Sequence, residues 1–240
     1  MRPEWMKQAK ELFGVELNDA QVAQFSDYEE MLLEWNTRFN LTAIRDIEGM
    51  RTKHFLDSLS CIKGFPVNLD EPNFIDVGTG AGFPGLPLKI VYPKSFLALV
   101  ESIKKKAGFC QEVARVLGMR QVLVSSERVE TLGQDWQYRE FFDVALARAV
   151  ASMPTLVEYL LPLVKVGGRV IMQKGSSAKA EAEAARNAIR LMGGKLLDIM
   201  PVVLPGLEDE RYLVVLEKIK PTPSEFPRAV GVPSKAPIGN

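Results

Sequence analysis

Apolar and polar residues alternate along this chain in two different rhythms. Through DAQVAQFSDYEEMLLEWNTRF, apolar positions return every three or four residues: Val22, Phe25, Tyr28 or Glu29, Leu32 or Leu33, and Trp35 or Asn36. With Asn18 placed as a cap, that spacing predicts a long amphipathic helix. A second helix is predicted from near Asp46, carrying Met50, His54, Leu56 or Asp57, and Cys61 along its faces. The rhythm then shortens. FIDV (74–77), FLALVE (96–101), VLVS (122–125), FFDVALA (141–147) and RVIMQK (169–174) are short β-rich runs, separated by helical stretches such as 103–117 and 153–164. Such alternation predicts βαβ units, right-handed crossovers and a mainly parallel sheet. A helix is predicted over 178–192, after which KLLDIMPVVL (195–204) and RYLVVLEKI (211–219) are joined only by PGLEDE. That link is too short for a crossover, so these two strands must be antiparallel.

The predicted fold class is therefore α/β and Rossmann-like, a seven-stranded, mostly parallel sheet ending in an antiparallel hairpin. One large group of methyl-transferring enzymes is built this way. Three segments are expected: an N-terminal helical region over 1–72, a sheet domain over 73–219 behind the boundary NLDEPN (68–73), and a tail over 220–240 with five prolines. Proline at that density predicts an extended chain.

Composition narrows the class without naming an activity. With 240 residues, 47% hydrophobic and 25% charged, the chain can bury one large core or two modest ones. No apolar run reaches membrane-spanning length, and MRPEWMKQAKELFGVEL carries charges throughout in place of a hydrophobic leader, so a cytoplasmic protein is expected. Cys61 and Cys110 are far apart, and His54 is the single histidine. No metal site is expected from that inventory, and both thiols are expected to pack as small apolar groups. The net charge is zero but unevenly spread: −5 over 1–72, +3 over 73–218 and +2 over 219–240. A basic face on the sheet domain is thus compatible with a neutral total.

The candidate chemistry is concentrated in FIDVGTGAGFPGLPLKI (74–90), where four glycines occupy eight positions behind the first strand. Such a turn brings backbone close to a ligand. Gly80, Gly82 and Gly85 satisfy G-x-G-x-x-G, but three features argue against a nicotinamide dinucleotide. Asp76 stands inside the strand, where it would repel a pyrophosphate and attract the sulfonium and ammonium of S-adenosylmethionine. No later domain offers room for a hydride acceptor, and Pro84 and Pro87 stiffen the start of the next helix into a tight cup. Glu101 ends the second strand where a carboxylate can accept ribose hydroxyls, although an acid there can also cap a helix. In SERVE (126–130), Val129 and Glu130 are placed to meet an adenine, with a solvated helix acid as the other reading of Glu130. Phe83, among small neighbours, is read as lining the cavity or as core.

Taken together, WNTRFNLTAI (35–44), HFLDSL (54–59), FIDVGTGAGFPGLPLKIVYP (74–93), LVES followed by KK (99–105), SERVE (126–130), FDVALARAVASMPTLVE (142–158), QKG (173–175) and DERYLVVLEK (209–218) resemble the rRNA small-subunit methyltransferase G family, formerly glucose-inhibited division protein B. The match runs through nearly the whole chain in the family's order. The resemblance implies methyl transfer from S-adenosylmethionine to N7 of the guanine at position 527 of 16S ribosomal RNA. It implies cofactor contacts at Gly78, Phe83, Glu101, Ser102, Ile103, Val129, Glu130 and Arg148; the loop reading adds Asp76 and Gly80. The chain departs from the family in IKKKAGFC (103–110), where Gly108 and Cys110 should weaken the helix, by about 1 kcal/mol for the glycine.

N7 carries an exposed lone pair, so direct attack on the methyl needs no base, and none is evident. ALARAV (145–150) stands where amine-methylating enzymes carry (Asp/Asn)-Pro-Pro-aromatic. Arg148 is accordingly the expected catalytic residue, orienting rather than deprotonating. Lys104, Lys105, Lys106, Arg128, Lys174, Arg211 and His54 are the candidates for RNA contact, each of which a solvated surface or ordinary packing also explains. Two alternatives stand beside this reading: a methyltransferase for a small molecule or protein, and a non-enzymatic RNA-binding accessory protein. Salt-sensitive RNA binding separates the first, and cofactor titration the second. A monomer is the default, since no apolar heptad or repeat occurs.

Overall fold

The structure is a computed structural model, describing residues 3–67, 69–148 and 150–239. Asn68, at the start of the expected segment boundary, and Ala149, within ALARAV, lie outside the described residues.

The chain begins with helices α1 (Glu4–Phe13) and α2 (Asp19–Asn36). The cap expected at Asn18 is a full capping box: its side chain accepts from the Gln21 amide while Gln21 returns a bond to the Asn18 amide, both at 2.9 Å. α1 was not foreseen; it is held by Trp5, Met6 and Ala9, which are buried against α2 and its neighbours. The second expected helix is one continuous run of three geometries, α3 (Ile47–Met50), a π-helical turn (Arg51–Leu56) and α4 (Asp57–Ser60). Arg51 in that turn forks onto Glu29 of α2 at 2.7 and 3.0 Å, locking the two helices together.

The sheet follows with β1 (Phe74–Val77), α5 (Gly85–Val91), β2 (Leu97–Val100), α6 (Lys104–Val116), β3 (Val122–Ser125), α7 (Val129–Gln134), β4 (Phe142–Arg148), α8 (Met153–Leu160), β5 (Val164–Lys174), α9 (Ala178–Ala184), α10 (Arg186–Leu191), β6 (Gly194–Pro201), β7 (Tyr212–Lys218) and α11 (Val232–Lys235). The seven strands are ordered β3-β2-β1-β4-β5-β7-β6, with β5–β7 and β6–β7 antiparallel and the rest parallel. This is the expected sheet with its closing hairpin. Strand order reverses direction at β1, so the carboxyl ends of β1, β2 and β4 border a crevice.

Two apolar layers cover the sheet because consecutive strand residues face opposite sides. Phe74, Leu97, Leu99, Val144 and Leu146 face α1, α2, α4 and α5, while Ile75, Val77, Ala98, Val100 and Ala145 face α7 to α10. The N-terminal helices therefore share a core with the sheet and bring the π-helical turn over its carboxyl edge. α6 is unbroken at Gly108, and Cys110 packs fully buried against the glycine loop, 3.5 Å from the Gly80 carbonyl. The proline-rich tail departs from the extended chain expected of it. It turns repeatedly, forms α11 and folds back on α7 and α8.

Candidate functional site

Beyond β1 the backbone takes left-handed conformations at Gly78, Gly80 and Gly82, with φ of 70°, 61° and 97°. Two carboxylates hold this loop. Asp76, fully buried, accepts from the Thr79 hydroxyl at 2.6 Å and the Gly85 amide at 2.8 Å. Its other oxygen is buried without a partner among the described residues. Burial pushes the Asp76 pKa up to about 6, against the pull of the Thr79 and Gly85 bonds. Glu101, at the end of β2, accepts from the Gly80 amide at 2.9 Å and the Ile103 amide at 2.8 Å, tying the loop to the start of α6. Gly78, Val100, Glu101, Ser102, Val129 and Tyr159 surround a cleft beside the loop. A Cβ on Gly80 would meet nothing within 4 Å, whereas one on Gly78 would lie 2.5 Å from a Val150 methyl.

A second pocket opens between the π-helical turn and the ends of β4, β5 and β7. Its floor is organised by Asp57, 4% exposed. One Asp57 oxygen accepts from Arg148 at 3.2 Å and from the Gln173 amide at 3.0 Å, while the other lies 3.7 Å from Arg211. Burial raises the Asp57 pKa, opposed by the two guanidinium groups. Arg148 also donates to the Lys53 carbonyl at 3.2 Å, lies 3.4 Å from His54 Nδ1 and sits 5.2 Å above the Phe83 ring. Phe83 stacks on His54 at 4.4 Å and on Tyr28 at 5.4 Å. His54 Nε2 lies 2.7 Å from the Thr42 hydroxyl. Burial, reinforced by Arg148, drives the His54 pKa down to about 3, so the ring is neutral.

The model of the rRNA small subunit methyltransferase G family matches residues 21–208. Curated members align along almost the full length: one from Roseiflexus sp. (strain RS-1) is 51% identical, covering 94% of this chain and 95% of its own. Another, from Alkaliphilus metalliredigens, is 47% identical, covering 97% of each. The chain belongs to the rRNA small subunit methyltransferase G family. Solved structures share the fold at low identity. A 16S rRNA (adenine(1408)-N(1))-methyltransferase from Catenulisporales acidiphilia, with cosubstrate SAM, has a TM-score of 0.51 at 13% identity, covering 70% of this chain and 92% of that one. The [4+2]-cyclase SpnF reaches 0.54 at 14% identity, covering 69% and 80%. Since a cyclase shares it, the fold by itself does not fix the chemistry.

Within this family member, the candidate residues divide by location. Gly78, Glu101, Ser102 and Val129 border the cleft directly, and Arg128, half exposed, stands at its edge. Asp76 and Gly80 act from beneath, through the loop, and Ile103 through its amide to Glu101. Phe83 is buried in an aromatic stack, under Arg148. Glu130 is buried and receives the Gly231 amide at 2.9 Å. Burial works to raise its pKa, but that bond, its own amide and Arg128 outweigh it, leaving the carboxylate below its usual value. Lys104 and Lys105 are exposed at the start of α6, Lys105 lying 5.3 Å over Phe39, and Lys106 is half-buried. Lys174 is not free for a phosphate: its ammonium donates to the Ala151 carbonyl at 2.8 Å and to Glu181 at 2.7 Å. Arg211 and His54 are likewise engaged within the second pocket.

Sequence reasoning missed the hub role of Asp57, the amide of Gln173, and Tyr159 and Val150 at the cleft. HFLDSL and QKG marked the first two without their roles. Nothing local marks Tyr159, which reaches the cleft only because α8 crosses behind it. Among the described residues, no group of three His, Cys, Asp or Glu could hold a metal, and no helix is long and apolar enough to cross a membrane.

Proposed function

We propose that this chain methylates N7 of the guanine at position 527 of 16S ribosomal RNA, in the cytoplasm, with S-adenosylmethionine as donor. Bound in the cleft, S-adenosylmethionine supplies the electrophilic methyl group. The cleft suits it: an open face above Gly80, two acids at the base and apolar walls from Val100 and Val129. Gly78, Glu101, Ser102 and Val129 would hold it directly, with Asp76, Gly80, Phe83, Ile103 and Glu130 in support. Each Glu101 oxygen already accepts one backbone N–H and keeps a second lone pair for a ribose hydroxyl.

The observation that carries the reading is Arg148 in the second pocket, held by Asp57 and lying beside a neutral His54. Its fixed guanidinium is placed to orient a base edge through O6 or to hold a phosphate. No side chain there is poised to take a proton. His54 has both nitrogens engaged and little basicity, and Asp57 already serves two arginines. Alkylation of a free ring lone pair is the transfer such a site can support, through positioning and exclusion of water. Lys104, Lys105 and Arg128, exposed around the cleft, would neutralise phosphates of the RNA.

Incubation with labelled donor and small-subunit RNA, followed by mapping of the modified nucleotide, tests this. N7-methylguanine at one position is expected; label on an exocyclic amine, a ribose or a protein would overturn it.

A further inference from the structure

The segment beyond β7 lies outside residues 21–208, where the family model matches, although curated relatives align through most of it, and nothing above assigns it a function. It is nevertheless anchored at several points to α7, α8 and the loop before β4. Arg228 forks onto Glu158 of α8, its Nε and Nη2 at 2.9 and 2.7 Å and its backbone amide at 2.8 Å. Glu158 is fully buried, whereas the Arg228 side chain stays 29% exposed. Gly231, three residues on, donates its amide to Glu130 at the start of α7. The Thr155 hydroxyl of α8 donates to the Pro233 carbonyl at 3.2 Å, and Ser234 hydrogen-bonds with Tyr159. Upstream, Arg139 reaches the carbonyls of Thr222, Pro223 and Phe226, and Gln134 those of Ser224 and Pro227.

These anchors share one location. Glu130 and Glu158 are the chain neighbours of Val129 and Tyr159, two of the residues that line the cleft. Glu130 also interacts with the Tyr159 hydroxyl, so one buried carboxylate faces both residues. A segment whose only task was to cover apolar surface would need neither an ion pair to a buried acid nor an amide bond to a second buried acid, each next in the chain to a residue of the cleft.

We propose that the carboxyl-terminal segment is the outer buttress of the cofactor cleft, with Arg228 and Gly231 as positioning residues for donor binding. The inference rests on the reading of that cleft as the S-adenosylmethionine site. Arg228 acts through Glu158 on Tyr159, and Gly231 acts through Glu130 on Val129, so the wall is pre-formed before the donor arrives.

Calorimetric titration of the full chain with S-adenosylhomocysteine tests it, using wild type, Arg228→Lys and Arg228→Ala, with Arg169→Ala as control. Arg169 is a comparable clamp at the far end of the sheet, donating to the Gly64 and Phe65 carbonyls at 3.0 and 2.8 Å. Arg228→Ala should weaken affinity roughly tenfold and Arg228→Lys by less, while KM for RNA stays within about twofold. Arg169→Ala should lower Tm and leave affinity unchanged. Should Arg228→Ala fail to fold by circular dichroism, Arg228→Lys decides, since it keeps the charge and loses one arm of the fork. Wild-type affinity in the folded Arg228 variants would overturn the inference alone. A wild type that does not bind S-adenosylhomocysteine would overturn the cofactor reading and this inference with it.

Discussion

The cleft and the pocket adjoin at one sheet edge but are assembled by different means. The cleft is built from successive strand-to-helix turns: Gly78 and Gly80 after β1, Glu101 and Ser102 after β2, Val129 after β3. Each residue is delivered by its own strand, so its position follows from the βαβ repeat. The pocket takes Lys53 and Asp57 from the N-terminal helices, Arg148 from β4, Gln173 from β5 and Arg211 from the start of β7. Its unity depends on one buried carboxylate serving two guanidinium groups. Most of the cleft thus comes from local sequence at the strand ends, with Val150 and Tyr159 added from beyond β4, whereas the pocket draws on segments distant in the chain.

Separate disruption of the two sites sharpens this contrast. The largest effect is expected from Arg148→Ala, with kcat reduced on the order of 10²- to 10³-fold and donor affinity changed far less. The same change leaves the buried Asp57 with the Gln173 amide at 3.0 Å and one guanidinium, Arg211, at 3.7 Å, and chemical denaturation should show roughly 3 kcal/mol of lost stability. Full activity in that variant would remove Arg148 from the mechanism. Gly78→Val should instead strike donor binding, because φ of 70° strains any side chain and its Cβ meets Val150 at 2.5 Å. Titration should show affinity down by at least about tenfold, with RNA affinity preserved. Asp57→Asn keeps an acceptor but loses the charge that aligns both arginines. A fall in kcat of about tenfold is expected, with the donor KM unmoved; the reverse split would contradict the division between the sites.

A further pair of effects is in pH dependence. The folded pKa of Asp76, about 6, lies above its usual 3.8, so its neutral form stabilises the fold below about pH 4 and that contribution is lost as pH rises through 6. The folded pKa of His54, about 3, lies below 6.5, so its contribution is present above 6.5 and is lost as pH falls toward 3. The two oppose each other. Asp76→Asn should therefore gain stability relative to wild type as pH rises from about 4 to 6, by about 2 kcal/mol in urea unfolding. His54→Gln should lose stability less steeply than wild type as pH falls below 6.5.

The sheet was largely legible. FIDV and VLVS coincide with β1, buried along its whole length, and with β3, a partly exposed edge strand, because short β-branched and apolar runs between turn-formers favour strands. β5 begins at Val164, earlier than the predicted 169, since Gly167 and Gly168 break the apolar signal where the pairing with β4 shifts register. The expected helix over 178–192 is divided at Ala185 into α9 and α10. Lys174 reads as a free surface cation in sequence and is an internal one in the fold, because only α9 brings Glu181 to it. The tail misled for the same reason. Proline fixes φ but says nothing of where a chain docks, and its anchors, Arg139, Gln134 and Glu158, lie 70 to 93 residues away.

Sequence alone determined the strand order of events along the chain, the glycine loop that must come close to a ligand, and the acids at the ends of β1 and β2. These follow from side-chain size, backbone freedom and periodicity, which act over a few residues. The tertiary structure decided which charges are free and which are spent: Arg148 on Asp57, Arg228 on Glu158, and the Gly231 amide on Glu130. Burial strengthens and selects such pairs, and burial is a property of how distant segments meet.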